Sequence, residues 1–71
     1  MMMNATVLEV QNRTLLVYDH NTAQEVLVHT PDYCRYGTGD RVCIQYSGVM
    51  TLSIPPQITA IHIKRRPNGR R

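Results

Sequence analysis

The chain has 71 residues, of which 42% are hydrophobic, with four Tyr but no Trp and no Phe. This length allows one domain at most. Folding at this size buries only about 60% of the surface that the unfolded chain exposes. The net charge of +3 is unevenly distributed: residues 1–63 carry three Arg and five Asp or Glu, a net of −2, whereas residues 64–71 carry five Lys or Arg. We therefore expect a mildly acidic folded body with an aliphatic core.

The first part of the chain predicts a three-stranded meander. Residues 5–10 and 14–18 are rich in strand-forming side chains, and residues 11–13 between them favour a hairpin turn. Residues 19–23 are turn formers. Residues 24–29 then return as a third strand, with Val26 and Val28 on one face.

A short helical turn is predicted next, over residues 33–36. Thr30 suits the N-cap, Pro31 the first helical position, and Asp32 the positive end of the helix dipole. Gly37 and Gly39 are expected to end the turn, because glycine tolerates the left-handed conformation that stops helices.

Two further strands follow, one on each side of a proline-rich segment. Residues 41–46 alternate strictly, which places Val42, Ile44 and Tyr46 inward. The last strand is predicted over residues 58–64. In that strand, the alternation places Thr59, Ile61 and Ile63 on one face and Ala60, His62 and Lys64 on the other.

The segment between these strands, residues 49–57, contains two successive prolines and is called the connector below. Pro55 and Pro56 lack backbone donors and fix φ at about −65°, so no sheet ladder is expected to run through them. Residues that precede a proline are pushed towards extended geometry. The sequence therefore predicts an extended connector that leads into the last strand.

Five short strands with one helical turn between the third and the fourth predict an all-β fold, an OB-like Greek-key barrel. An SH3-like barrel is the alternative, because strand count does not separate the two. Closure is expected since an isolated open sheet would expose two edges. We assign the barrel domain to residues 1–64 and a disordered basic tail to residues 65–71.

Two motifs carry a resemblance to small uncharacterised OB-like proteins of Gram-positive bacteria, in which a Gly-Asp turn precedes one strand and a serine-proline connector precedes the last. The matching stretches here are Gly39-Asp40-Arg41-Val42, Tyr46-Ser47-Gly48-Val49-Met50-Thr51 and Ser53-Ile54-Pro55-Pro56-Gln57-Ile58-Thr59-Ala60. The resemblance implies a fold and no activity. Some of those proteins resemble lipoproteins with an export signal and a lipid-attachment cysteine, which are not visible here.

The connector is the first candidate binding surface. It holds four apolar side chains, too many for an ordinary surface loop: Val49, Met50, Leu52 and Ile54. We expect them to plug one end of the barrel. The alternative is an exposed patch for a protein partner or a second copy, with extended backbone available for strand addition.

The basic tail is the second candidate surface. Its charge comes from Lys64, Arg65, Arg66, Arg70 and Arg71. Such a cluster suits phosphate contacts, and Tyr18 is an aromatic side chain that the meander would display for base stacking. The alternative is a tail that only aids solubility.

No residues assemble into a catalytic or metal-binding motif. Cys34 and Cys43 lie at neither a CxxC nor a zinc-knuckle spacing, so two free thiols are expected. Residues 1–6 do not resemble a secretory signal, and no apolar run approaches the roughly 18 residues of a membrane span, so a cytoplasmic protein is predicted. We predict a non-catalytic, cofactor-free OB-like binding or accessory module that acts through protein contacts. The alternative is a weak single-stranded nucleic-acid binder.

Overall fold

The structure is a computed structural model that describes residues 1–66, and within them the fold is all-β. Five strands are present, with one 3-10 turn between the third and the fourth. The strands are β1 (Met2–Gln11), β2 (Thr14–Asp19), β3 (Gln24–His29), β4 (Arg41–Tyr46) and β5 (Gln57–Arg65), and the 3-10 turn is Tyr33–Arg35. This confirms the predicted order of elements.

The strands close into a barrel in the order β1-β2-β3-β5-β4, with β4 returning to β1. All neighbouring strands are antiparallel except β3 and β5, which pair in parallel over Leu27–His29 and Gln57–Thr59. Predicted closure into a five-stranded barrel is therefore confirmed.

The core is aliphatic and lies inside the barrel, as the alternation predicted. Val26, Val28, Val42 and Ile44 are fully buried, and Tyr46 is nearly so. The other buried apolar residues are Met3, Ala5, Val7, Leu15, Val17 and Ile58. Inward side chains from all five strands thus share one core.

β1 begins three residues earlier than predicted. Met3 lies opposite Ile44 and Ala5 opposite Val42, so the first residues of β1 form the ladder that closes the barrel against β4. Local strand propensity does not mark these residues, because their strand conformation depends on a partner about 40 positions away in the chain.

The predicted faces of β5 are wrong because the strand contains a bulge. His62 lies opposite Gln45 but Ala60 lies opposite Tyr46, so Ile61 is an extra residue with no partner on β4. A bulge shifts the alternation by one residue. Ile58 is consequently buried and Ile63 packs against the core, while Ile61 is 65% exposed.

The predicted domain boundary at residue 64 is also too early. β5 continues through Arg65, and the Arg66 N–H donates to the Arg41 carbonyl at 2.8 Å. Arg65 and Arg66 therefore belong to the barrel. Residues 67–71, which include Arg70 and Arg71, lie outside the described residues.

The helical turn is shorter than predicted and has a different N-cap. Asp32 is the N-cap residue, and the Thr30 hydroxyl instead accepts the Asp32 N–H at 3.1 Å. Tyr36 is extended rather than helical, and its hydroxyl donates to the Ile63 carbonyl at 3.1 Å.

Candidate functional site

The apolar side chains of the connector face solvent instead of plugging the barrel. Leu52 and Ile54 are 101% and 99% exposed, and Val49 is 75% exposed. Only Met50 packs against the core, and its Sδ accepts a hydrogen bond from the Gln24 side chain at 3.8 Å. The expectation of a plug is therefore wrong for three of the four side chains, because the core is already filled by the strands.

Hydrogen bonds within the connector hold it in a closed loop. The Thr51 N–H donates to the Gln57 carbonyl at 3.0 Å, and the Gln57 N–H donates to the Thr51 hydroxyl at 2.9 Å. The Ser53 hydroxyl donates to the Pro55 carbonyl at 2.9 Å. These bonds close the loop on itself, and Leu52 and Ile54 project from it into solvent.

A groove of about 490 Å³ lies between the connector and the start of β3. Gln24 and Glu25 form the β3 side, and residues 50–56 form the connector side. Leu52 and Ile54 both line it, so the exposed apolar surface and the concave surface coincide.

The start of β3 presents unpaired backbone to this groove. The Leu27 N–H donates to the Pro56 carbonyl at 2.9 Å, and the parallel ladder with β5 begins at Leu27. Pro55 and Pro56 have no N–H, so they cannot extend this ladder. Since alternate residues of a strand direct their backbone groups to the same side, the N–H and C=O of Glu25 point towards the groove. Within residues 1–66, no ladder partner meets them there.

Arg65, a residue of the alternative nucleic-acid prediction, makes hydrogen bonds within the protein. One Nη of its guanidinium donates to the Arg35 carbonyl at 2.6 Å and to an Asp40 carboxylate oxygen at 3.1 Å. The guanidinium also lies 5.5 Å from the centre of the Tyr36 ring. Lys64, Arg65 and Arg66 are all exposed, but only the Arg65 side chain has hydrogen-bond partners among residues 1–66.

The barrel brings Tyr18 near basic residues through the pairing of its strands. Tyr18 lies opposite Thr6 on β1, and Thr6 lies opposite Arg41 on β4. Arg66 is bonded to the backbone of Arg41. Sequence reasoning missed Arg41 as a site residue. Its alternation shows that it points outward, but only closure of β1 against β4 shows that it faces the same side as Tyr18.

Within residues 1–66, the cysteines and histidines form neither a disulfide nor a metal-binding cluster. Cys34 and Cys43 are free thiols, as predicted. The His29 ring is hydrogen-bonded to the Gln57 side chain at 2.7 Å. No three His, Cys, Asp or Glu side chains of the described residues are arranged to hold a metal ion.

None of the helical structure in residues 1–66 has the length and apolar character needed to span a membrane. No family model, curated protein or solved structure matches this chain.

Proposed function

We propose that this chain is a non-catalytic binding module that holds an extended, apolar segment of a partner protein in the groove between the connector and β3. The observation that carries this proposal is the full exposure of Leu52 and Ile54 beside unpaired strand backbone at Glu25.

We propose that the barrel has an OB-like topology. The strand order β1-β2-β3-β5-β4, the parallel pairing of β3 with β5 and the 3-10 turn before β4 favour an OB-like over an SH3-like barrel.

We also propose that the chain is related to the OB-like proteins of Gram-positive bacteria that share its Gly-Asp turn and proline connector. A cytoplasmic setting is proposed because Cys34 and Cys43 are unpaired.

The apolar side chains supply the driving force for binding. Leu52 and Ile54 have almost their whole side-chain surface in water. Full burial of one such side chain stabilises a complex by about 1.5–3 kcal/mol. Because hydrogen bonds between Thr51 and Gln57 close the connector, the backbone that carries these side chains is held in place before binding, which reduces the entropy lost on binding.

The unpaired backbone of β3 would set the direction and the register of the bound segment. An extended segment laid along residues 24–26 would continue the sheet past the point where the prolines end the β5 ladder. The exposed Glu25 carboxylate favours a Lys or Arg in that segment. The partner chemistry is therefore an extended segment with apolar residues at alternate positions and a nearby basic residue.

Selection from a displayed library of random peptides tests this proposal. Enriched peptides are expected to share alternating apolar residues with Lys or Arg nearby. Their affinity, measured by fluorescence polarisation, is expected to fall at least about tenfold on Leu52→Asp or Ile54→Asp, because the charge prevents burial of the side chain.

Ile61→Asp is the matched control, since Ile61 is also an exposed apolar residue but does not line the groove. Circular dichroism establishes that all three variants are folded. Failure to enrich any peptide, or peptides that bind Leu52→Asp and Ile54→Asp as tightly as the unchanged protein, would contradict the proposal.

A further inference from the structure

We infer that a second surface, on the outward side of β1, β4 and β5, binds single-stranded nucleic acid. We call this surface the basic face, and it consists of Asn4, Thr6, Arg41, Cys43, Lys64 and Arg66, with Tyr18 at its edge. It is distinct from the groove, and the inference does not depend on the groove's proposed function.

Strand register places these side chains in two rows across the barrel. In one row, Tyr18 of β2 lies opposite Thr6, Thr6 lies opposite Arg41, and Arg41 is bonded through its backbone to Arg66. Neighbouring strands are about 4.8 Å apart, so Tyr18 and Arg41 are separated by roughly 10 Å.

The second row runs beside the first. Asn4 lies opposite Cys43, and Cys43 lies opposite Lys64. A hollow of about 340 Å³ lies on this part of the barrel, and Asn4, Cys43, Lys64 and Arg66 all line it. Lysine, arginine and amide groups around one hollow are suitable donors for phosphate oxygens.

Within residues 1–66, no carboxylate forms a salt bridge with the cations of the basic face. Arg41, Lys64 and Arg66 are exposed, and the parts of the two rows that cross β1, β4 and β5 contain no Asp or Glu. The first row becomes acidic only one strand beyond Tyr18, where Glu25 lies directly opposite it. Asp40, the acidic neighbour of Arg41 in the chain, is bonded to Arg65. Glu25 lies on the far side of Tyr18, on β3 and beside the groove. Although residues 1–63 have a net charge of −2, this side of the barrel is positively charged.

The aromatic edge favours a nucleic acid over other polyanions. The Tyr18 and His20 rings meet edge to face with their centres 5.1 Å apart, and the His20 ring is hydrogen-bonded to the Thr6 hydroxyl at 2.7 Å. These contacts hold an aromatic pair in place at the end of the first row. An unpaired base can stack on such a pair while its phosphates contact Arg41, whereas bases inside a duplex are not available for stacking.

Titration of labelled oligothymidylate at several salt concentrations tests the inference. With three phosphate contacts, the slope of log affinity against log salt is expected to be about −2. Arg41→Glu and Lys64→Glu are each expected to weaken binding about tenfold or more at low salt. A duplex of the same length is expected to bind more weakly than the single strand.

Two controls separate the basic face from charge elsewhere. Arg13→Glu makes the same charge change at an exposed turn residue, and it is expected to reduce affinity less than about threefold. The full-length double variant Arg70→Gln/Arg71→Gln tests the tail. Binding that is lost in this double variant but kept in Arg41→Glu, or an effect of Arg13→Glu equal to that of Arg41→Glu, would overturn the inference.

Tyr18→Leu distinguishes base stacking from simple binding of a polyanion. The variant is expected to weaken binding of oligothymidylate but not of inorganic polyphosphate. Equal binding of the oligonucleotide by Tyr18→Leu and by the unchanged protein would also overturn the inference. Leu52→Asp is expected to bind the oligonucleotide normally, so failure of one proposed surface is distinguishable from failure of the other.

Discussion

Asp40 joins the loop before β4 to the end of β5. One oxygen of its carboxylate accepts the Gly37 N–H at 2.9 Å and a guanidinium N–H of Arg65 at 3.1 Å, and its backbone carbonyl accepts the Val7 N–H at 2.8 Å. The hydrogen bond from Gly37 and the positive charge of Arg65 together lower the pKa of Asp40, although partial desolvation opposes them. The Gly-Asp motif of the sequence therefore has a structural role, because its Asp40 links the loop before β4 to β1 and to β5.

The lowered pKa of Asp40 predicts a loss of stability in acid. A carboxyl group whose pKa is lower in the folded state stabilises the fold above its unfolded pKa, which is about 3.9 for Asp. That contribution is lost as the pH falls through the folded value. We expect the melting temperature of Asp40→Asn to be lower than that of the unchanged protein at neutral pH, and the difference to shrink below about pH 4. Thermal melts at a series of pH values check this, and two parallel curves would contradict it.

Strand β5 pairs in parallel with one neighbour and antiparallel with the other, and it contains a bulge. Its first residues pair with β3, its later residues pair with β4, and the bulge at Ile61 lies within the later part. Ile58 and Ile61 are the same residue type in the same strand, yet one is buried and the other is 65% exposed.

These two isoleucines give a matched pair of substitutions. Ile58→Ala removes buried methyl groups and leaves a cavity, so it is expected to lower the free energy of unfolding by about 2–5 kcal/mol. Ile61→Ala is expected to change it by no more than about 0.5 kcal/mol, because the side chain is outside the core. Urea unfolding measures both values, and equal losses would contradict the different burial of the two side chains.

The strands that the sequence predicted most accurately are those whose pattern is local. Val42, Ile44 and Tyr46 alternate without interruption, and β4 has the predicted bounds. The bulge at Ile61 was not predictable, because it depends on how β5 meets Gln45 and Tyr46. The connector was recognised as a candidate surface from its apolar content, but exposure of Leu52 depends on how completely the strands fill the core.

At the scale of the whole molecule, residues distant in the chain close the barrel. Met2–Thr6 pair with Arg41–Gln45, and β4 in turn pairs with β5. Because every strand contributes side chains to one core, loss of any strand exposes the interior. The parts of the barrel are therefore expected to unfold together.

We predict a single cooperative unfolding transition in urea. Far-ultraviolet circular dichroism and tyrosine fluorescence are expected to give coincident curves, because the tyrosines and the strands belong to one folded unit. The main refolding phase is expected to take milliseconds to seconds, as is typical of folds dominated by non-local pairing. Separate transitions for the two signals would show that part of the barrel folds independently.

The parallel seam between β3 and β5 is the shortest ladder of the barrel, since it joins only Leu27–His29 to Gln57–Thr59. Breaking this one ladder would leave the four antiparallel ladders intact. It is therefore the local opening of the barrel that we expect to cost the least free energy. The seam adjoins Pro56 and the groove. A guest strand paired with Glu25 would therefore add backbone hydrogen bonds to β3 next to this ladder, and its binding is expected to slow local opening of the ladder.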